Sequence, residues 1–397
     1  MTQGIPISWK CTGYLDSENI YKMRANEIQI TPVRTKRELT KFIKFPWKVY
    51  KNNPYWVPPL IFERKRFLNP KVNPFFSHAE LVLFLAYREE DIVGRIAAVI
   101  DSQFIDYYKQ DVGYFGLFEC LPDYSIACAL FQKVESWLEE RGIKRILGPM
   151  NLSTNRECGL LIEGFDLSPA AMMPYNPPYY QEYLERYGFE KAMDLYAYFV
   201  DFSNYPEEEF REGLLEKLSR KNFSVRSISL KDPEEIKRIR NVYNSAWSEN
   251  WGFVPLTEQE LWYMVEELRK VVIPDMALVA EKDGEIVGFS LTIHDINQVL
   301  KRINGRLFPL GIFKWFYFKK QIDLLRGLTM GVTKECRHTG VEVLLYFKIA
   351  EISRAKGCPR YEISWVLEDN APLNNLLTKK LNAQLYKKYR IFGKDLR

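Results

Sequence analysis

Histidine is nearly missing from this 397-residue chain: His78, His294 and His338 are the full set. Three scattered imidazoles argue against a multi-histidine metal site, and no metal is expected. Cysteine is little better placed. Cys11, Cys120, Cys128, Cys158, Cys336 and Cys358 contain no C-x-x-C pair. They read as reduced thiols of a cytoplasmic protein and exclude a disulfide framework or a structural zinc site. No uninterrupted apolar run reaches the roughly 18 residues needed to span a bilayer, and the first residues lack the apolar core of a secretory signal. The net charge of +5 is small for this length and does not by itself argue for nucleic acid. What the chain does have is apolar residues, 47% of the total. That places it among globular proteins, with length for two or three domains.

Taken in order, residues 1–25 are polar and unpatterned and are expected to form a flexible leader, with Met23 a candidate natural start. Glu27–Val33 alternates as a strand, and Thr35–Phe45 has helical spacing. Pro46–Phe76 is so rich in proline and aromatics that an ordered loop without a regular element is expected. Trp47, Tyr55 and Trp56 within it either line a channel or cap the sheet. Leu81–Ala86 and Asp91–Ile100 flank a charged turn as a hairpin. Val112–Glu119 is a strand, Asp123 caps a helix ending at Gly142, and Arg145–Leu147 resumes strand character. The order returns in the second half. Ser224–Leu230 is a strand and Asp232–Trp247 a helix. Leu256–Val271 is a helix entered from a Thr257-x-x-Glu260 capping box. Met276–Glu281 and Glu285–His294 form a hairpin around Lys282-Asp283-Gly284. Two copies of one α/β unit follow, divided at 26–203 and 204–397 and joined by the polar stretch Asp201–Asn222.

The most telling stretch is Leu328–Tyr346, LTMGVTKECRHTGVEVLLY. Leu328, Met330 and Val332 alternate as a strand. Arg337-His338-Thr339-Gly340 supplies a turn, and from Val341 the apolar residues Leu344, Leu345, Ile349 and Ile352 fall at helical spacing. A strand, a tight turn and a helix leave backbone N–H groups pointing into one hollow in front of a positive helix end. Such a hollow suits a diphosphate, although an ordinary strand-to-helix connection has the same pattern. Tyr361–Leu367 reads as the next strand, and Asn370 leads into a helix from Pro372.

At this point the chain resembles the GNAT superfamily of acyl-CoA N-acyltransferases. The family's Arg/Gln-x-x-Gly-x-Gly/Ala turn appears as Arg337-x-x-Gly340-x-Glu342, with a glutamate at the third anchor. The family's Leu-Tyr-x-Lys-x-Gly-Phe ending appears as Leu377-Thr378-Lys379-Lys380-Leu381-Asn382-Ala383, with Thr378 where many members keep a tyrosine acid. In the first copy, Tyr183–Phe189 is similar to that ending, but the turn Glu119-Cys120-Leu121-Pro122-Asp123 has no glycine and two carboxylates, which oppose a diphosphate. The whole chain from Glu27 resembles the bacterial YghO-like proteins, through FPWKVYKNNPYWVPPL, FGLFE, GPMNLSTNRECGLLIEGF, MMPYNPPYYQEYLERYGFEKAMDLYAY and ISWVLEDN. The resemblance implies a tandem GNAT fold, an α/β chain with mixed α+β sheets. It implies acyl-CoA as co-substrate, bound in the second copy by Met330, Val332, Arg337, His338, Thr339, Gly340, Val341 and Asn370, with the main-chain amides near Thr339 on the diphosphate. The first copy would shape the acceptor site. Some relatives of this type are linked to N-acylation of long-chain amines in sphingolipid synthesis.

Acyl transfer to an amine needs a base, a donor to the thioester carbonyl and an acid for the leaving thiolate. Glu362, Glu368 and Asp369 are candidate bases, and Tyr386 and Tyr389 candidate acids. Gly148–Phe165 packs Asn151, Ser153, Thr154, Asn155, Arg156 and Glu157 behind a strand. It reads equally as a ligand loop at the strand's carboxyl end or as a loop that closes its own turns. Asn151, Asn155, Glu157, Tyr179 and Tyr180 are the candidate substrate contacts. His294 and Asp295 end a strand, as substrate contacts or a satisfied edge pair. Phe308–Phe318 with Lys319-Lys320 suits either a core helix between the copies, the favoured expectation, or a membrane interface or acyl-pocket mouth. Two rival readings remain. One is a degenerate pair that binds acyl-CoA or a lipid without turnover, consistent with Glu342, Thr378 and the acidic first-copy turn. The other is an aminoacyl-tRNA-dependent transferase, for which Lys379, Lys380, Lys387, Lys388 and Arg390 form only a modest basic tract. No nucleic-acid partner is expected.

Overall fold

The computed structural model describes residues 27–204, 213, 216–218, 220–229 and 231–396. The expected leader, Cys11 and most of the joining stretch lie outside the described residues. The first half runs β1 (Ile28–Pro32), α1 (Lys36–Lys44), α2 (Pro46–Val49), α3 (Ile61–Phe67), β2 (Ala79–Arg88), β3 (Asp91–Asp101), α4 (Ser102–Tyr108), β4 (Val112–Cys120), α5 (Tyr124–Glu139), β5 (Arg145–Gly148), β6 (Leu160–Glu163), α6 (Tyr179–Tyr187) and β7 (Glu190–Asp201). The second runs β8 (Phe223–Ser227), α7 (Pro233–Trp247), α8 (Glu258–Leu268), β9 (Val272–Lys282), β10 (Glu285–His294), α9 (Asn297–Ile303), α10 (Gly311–Lys319), β11 (Leu324–Val332), α11 (Val341–Ala355), β12 (Arg360–Leu367), α12 (Ala371–Lys379) and β13 (Gln384–Asp395).

Local chemistry explains many of these boundaries. Thr35 with Glu38 and Thr257 with Glu260 form reciprocal capping boxes at the starts of α1 and α8, satisfying backbone donors that a helix start leaves open. Asp123 accepts from the Ser125 N–H at the start of α5. β4 is buried at all nine positions, as expected of a central strand covered on both faces.

The strands form one sheet in the order β1-β2-β3-β4-β5-β13-β7-β12-β11-β10-β9-β8, with β6 also on β13. β13, from the end of the chain, lies between β5 and β7 of the first half, antiparallel to both. β7 in turn pairs with β12. In this single sheet residues 384–395, from the second half of the chain, thus sit between two strands of the first half. Neither β7 nor β13 was expected from the sequence. Three further expectations are corrected. Pro46–Phe76 contains α2, α3 and the 3-10 turn Pro74–Ser77, because Ile61–Phe67 is a proline-free heptapeptide able to close helical bonds. α4 was also unforeseen, and Asp101 caps it. Finally, Phe308, Leu310, Phe313, Phe316 and Tyr317 are 66–73% exposed, so α10 is not a core helix between the copies.

The halves are also joined by polar contacts. Segment 168–171 of the first copy is held by the second. Asp295 accepts from the Ala171 N–H at 2.8 Å, and Asn297 donates to the carbonyls of Pro169 and Ala170, each at 2.9 Å. Arg326 and Lys387, both at most 2% exposed, donate to the carbonyls of Ala171 and Ser168. Burial, with the Glu362 charge nearby, pushes the Asp295 carboxyl up to about 7. His78 bridges Asp101 on the first copy and Glu260 on α8. Burial alone would lower its pKa, but the two carboxylates raise it to about 9.

Candidate active site

β11 and β12 are parallel neighbours only from Leu324–Gly327 against Arg360–Ile363. Beyond that point they part. Leu328 is an extra residue in the register with β10, which jumps from Leu291–Thr329 to Thr292–Gly327, and such a bulge bends the strand that carries it. β11 then stays with β10, while Val366 and Leu367 of β12 pair with Tyr196 and Leu195 of β7. The facing edges of Leu328–Val332 and Ser364–Leu367 are left without a strand partner. They open into a wedge-shaped cleft of about 870 Å³. A Cβ on Gly331 would lie 2.1 Å from the Trp247 ring, so the absent side chain lets α7 form one wall.

The expected turn closes one end of this cleft. The 3-10 turn Lys334–Cys336 leads into Arg337; His338 has φ +61° and Gly340 φ +100°, a region glycine enters without a Cβ penalty. The amides near Thr339 are not the free ones. Those of Arg337 and Thr339 reach the carbonyls of Lys334 and Cys336 at 3.3 and 3.4 Å, and that of His338 reaches Glu342 Oε1 at 3.3 Å. Among the described residues, the next four N–H groups, of Gly340, Val341, Glu342 and Val343, have no acceptor; bonding resumes at Leu344, to the Gly340 carbonyl. The donor set is thus the first turn of α11, one step later than expected. Glu342 folds back on the His338 amide rather than projecting freely, which removes part of its opposition to an anion. Arg337 donates to the Ala246 carbonyl at 2.8 Å and pairs with Glu249, which Lys334 also neutralises.

Met330, Val332, Arg337, His338, Gly340 and Asn370 all line this cleft. Thr339 and Val341 do not: the Thr339 hydroxyl donates to the Cys336 carbonyl at 2.7 Å, and Val341 is fully buried. Asn370 caps α12 by accepting from the Leu373 N–H. Glu362 and Tyr386 lie together one layer beneath. Glu362 is 1% exposed and accepts from Ser364 Oγ at 2.6 Å and from the Tyr386 hydroxyl, with Arg326 at 3.8 Å. Burial and the Glu362 charge hold the Tyr386 phenol well above its ordinary range. Ser364 is the member of this group that reaches the cleft wall. Glu368 points elsewhere, accepting from the Asp194 N–H and Lys191 of the first copy. Asp369 lines the cleft, whereas Tyr389 is buried behind it.

The first-copy candidates are engaged internally. Asn151 accepts from the Leu117 N–H at 2.9 Å and donates to Glu157 at 3.0 Å, and Glu157 pairs with Arg64. Asn155 donates to the Val254 carbonyl and accepts from Tyr243, both in the second copy. Tyr180 donates to Glu119 at 2.8 Å and Tyr179 to the Cys120 carbonyl at 2.8 Å. Burial pushes the Glu119 carboxyl up to about 7 against the pull of Arg95, Tyr180 and Tyr50. Glu119, Asn151, Glu157, Tyr180 and Trp56 border a smaller cavity of about 190 Å³. Trp47, by contrast, donates to Asn304 beside α9. In the basic tract, Lys387 is buried and Lys388 and Arg390 pair with Glu163 and Asp194, leaving Lys379 and Lys380 on the cleft.

Several cleft residues had no signal in the sequence. Trp247, Tyr346 and Trp365 line the cleft, as does Ser290, which is 1% exposed. Among the described residues Trp365 Nε1 and Ser290 Oγ, both buried polar atoms, have no partner, an arrangement that asks for an explanation in a folded protein. Past Trp247, Leu328, Thr329, Trp365 and Leu367, the cleft adjoins an apolar chamber of about 280 Å³. Its further walls are Ile236, Ile239, Leu261, Met264, Leu268 and Phe289. Among the described residues no helix is long and apolar enough to cross a membrane, and no group of His, Cys, Asp and Glu side chains is placed to hold a metal ion.

No protein-family model matches the sequence. Protein YghO of Escherichia coli (strain K12) is 35% identical over 368 residues, covering 91% of this chain and 94% of that protein. A bacterial ceramide synthase of Caulobacter vibrioides (strain NA1000 / CB15N) is 34% identical over 381 residues, covering 93% and 98%. Among solved structures, a tandem GNAT protein from the clavulanic acid biosynthesis pathway superposes with a TM-score of 0.56 at 10% identity, covering 94% of this chain and 99% of the other. A GCN5-related N-acetyltransferase from Sphaerobacter thermophilus gives 0.53 at 12% identity, covering 94% and 96%. At such identities the last two likenesses concern the fold alone.

Proposed function

We propose, from the premise that this chain belongs to the tandem GNAT-type family of YghO and bacterial ceramide synthase, that it is an N-acyltransferase moving an acyl group from acyl-coenzyme A to a primary amine on a hydrophobic acceptor. The observation that carries this reading is a pair of adjoining spaces that share Trp247, Leu328, Thr329, Trp365 and Leu367 as walls: a wedge with four open helix-start amides and, beside it, an apolar chamber. The residues fit the cofactor. The N–H groups of Gly340–Val343 and the positive end of α11 suit a diphosphate. The unpaired edge of Leu328–Val332 offers backbone groups to an amide-bearing arm. The chamber suits a long acyl chain or the tail of the acceptor. The name of the Caulobacter relative points the same way, and the unpaired thiols among the described residues suit the cytoplasm.

Acyl-CoA supplies the activated thioester carbonyl. The amine nitrogen bonds to the carbonyl carbon as the carbon–sulfur bond breaks, so the proton lost by nitrogen balances the one gained by the thiolate. In this chain Ser364 accepts the amine proton and passes its own to Glu362, which it already contacts at 2.6 Å. Tyr346 lines the same cleft. Its phenol is protonated at neutral pH and is the group placed to give a proton to the departing thiolate, although burial raises its pKa and so weakens it as an acid. Backbone N–H groups of the splayed edge stabilise charge on the carbonyl oxygen.

The rival, an acyl-CoA or lipid binder without turnover, has two specific observations behind it. Thr378 donates to the Asn374 carbonyl, and Glu362 reaches the cleft only through Ser364. Free-thiol release from palmitoyl-CoA separates the two. The transferase releases thiol with a long-chain 2-amino-1,3-diol and not with short polar amines. Tight palmitoyl-CoA binding with no thiol release on any amine would instead establish the binder.

A further inference from the structure

We propose that α10 and the loop before it dock on an anionic membrane surface. Five of the nine large hydrophobic side chains that are exposed among the described residues lie between positions 308 and 317. On α10 itself these are Phe313, Phe316 and Tyr317, while the opposite side is anchored by Trp315 against Leu60, Leu300 and Ile303. The helix is thus fixed to the body by one side and presents aromatics on the other. Singly exposed apolar residues are ordinary, but a contiguous cluster marks an interaction site.

Charge selects the occupant. From Asn297 to Ile322 there is no Asp or Glu, whereas Lys301, Arg302, Arg306, Lys314, Lys319 and Lys320 are all present and exposed. Arg306, Lys314, Lys319 and Lys320 have no acidic partner among the described residues. Lys319 is close enough to depress the neighbouring His294 imidazole, after burial itself. A second copy of the chain would bring the same cations against themselves if it docked face to face. An anionic bilayer accepts both features at once, with aromatics at the headgroup–acyl boundary and lysines among the phosphates. Such docking would bring an insoluble acceptor to the enzyme, yet the argument stands on this surface alone and not on the transferase reading.

The test is co-sedimentation of the full chain with phosphatidylglycerol–phosphatidylcholine vesicles and with pure phosphatidylcholine vesicles, at low and high salt. Binding to the anionic vesicles is expected, weakening as salt screens the lysines. Lys319→Gln with Lys320→Gln should lower the partition coefficient roughly 25-fold, at about fivefold per cation. Phe313→Ser with Phe316→Ser should lower it by at least about tenfold; both pairs are exposed, so melting temperatures should hold. No binding to anionic vesicles, or variants that bind as well as wild type, would overturn the proposal. So would a solution dimer that Phe313→Ser with Phe316→Ser dissociates, since a second copy would then own this face. The assay requires no turnover, so its failure is separable from failure of the proposed reaction.

Discussion

Placing a carboxylate at position 340 should abolish most of the affinity for coenzyme A, and its size can be worked out. Gly340 has φ +100° and begins the run of four amides that lack acceptors. Gly340→Ala changes only the backbone preference. A side chain held at positive φ costs about 1–2 kcal/mol of stability, lowering the melting temperature by a few degrees while leaving the amides in place. Gly340→Asp adds a charge. At a separation of about 6 Å and an effective dielectric near 20, repulsion from one phosphate charge is about 3 kcal/mol. Salt screening at a site open to solvent brings this to about half. Relative to the alanine variant, the dissociation constant for coenzyme A should therefore rise about tenfold. Titration calorimetry of wild type and both variants measures it, with thermal melts to report the strain separately. Equal affinities for the alanine and aspartate variants would refute the placement of the diphosphate at this helix start.

Four further outcomes follow from the same geometry. Ile239→Trp narrows the apolar chamber and should reduce turnover of palmitoyl-CoA at least about tenfold while sparing acetyl-CoA, because the obstruction meets only the longer chain; steady-state rates with both thioesters check this. Glu362→Gln keeps the buried shape but removes the proton acceptor behind Ser364. It should cost about 10²–10⁴ in kcat, with coenzyme A affinity unchanged. Tyr346→Phe should slow release of the thiol by about tenfold or more without altering binding, measured in single-turnover experiments. His78, raised from 6.5 to about 9 between Asp101 and Glu260, stabilises the fold in its charged form. That contribution is complete below pH 6.5 and disappears as pH rises through about 9. It is at most about 3 kcal/mol. Urea midpoints should fall across this window, and His78→Gln should remove the dependence.

How far the sequence could be read depended on whether the relevant forces were local. The turn at Gly340, the helix from Val341 and the capping box at Thr257 depend on neighbours within four residues, and all are present. β13 was hidden because Lys387, Lys388, Arg390 and Lys394 interrupt its apolar alternation. Its partners, β5 and β7, lie about two hundred residues away in the chain. Lys387 is buried only because the Ser168 carbonyl receives it, a contact no spacing rule contains. The aromatic run at 308–318 misled for the opposite reason. Its composition suits a core, but the helix packs on the body by one side, with Trp315 against the cluster of Leu60, Leu300 and Ile303, and leaves Phe313, Phe316 and Tyr317 exposed. At the cleft, residues on the turn were legible, whereas Trp247, Ser290 and Trp365 converge from three elements separated by folding. The buried dyad of Glu362 and Tyr386 combined two candidate residues, yet their route to the cleft through Ser364 required the structure.

The most direct measurement is a crystal structure of the protein with palmitoyl-CoA. The diphosphate should lie within hydrogen-bond distance of the N–H groups of Gly340–Val343, with the acyl chain entering the chamber beside Ile239 and Phe289. A diphosphate bound instead in the first copy's cavity by Glu119, or an acyl chain that bypasses the chamber, would contradict the account.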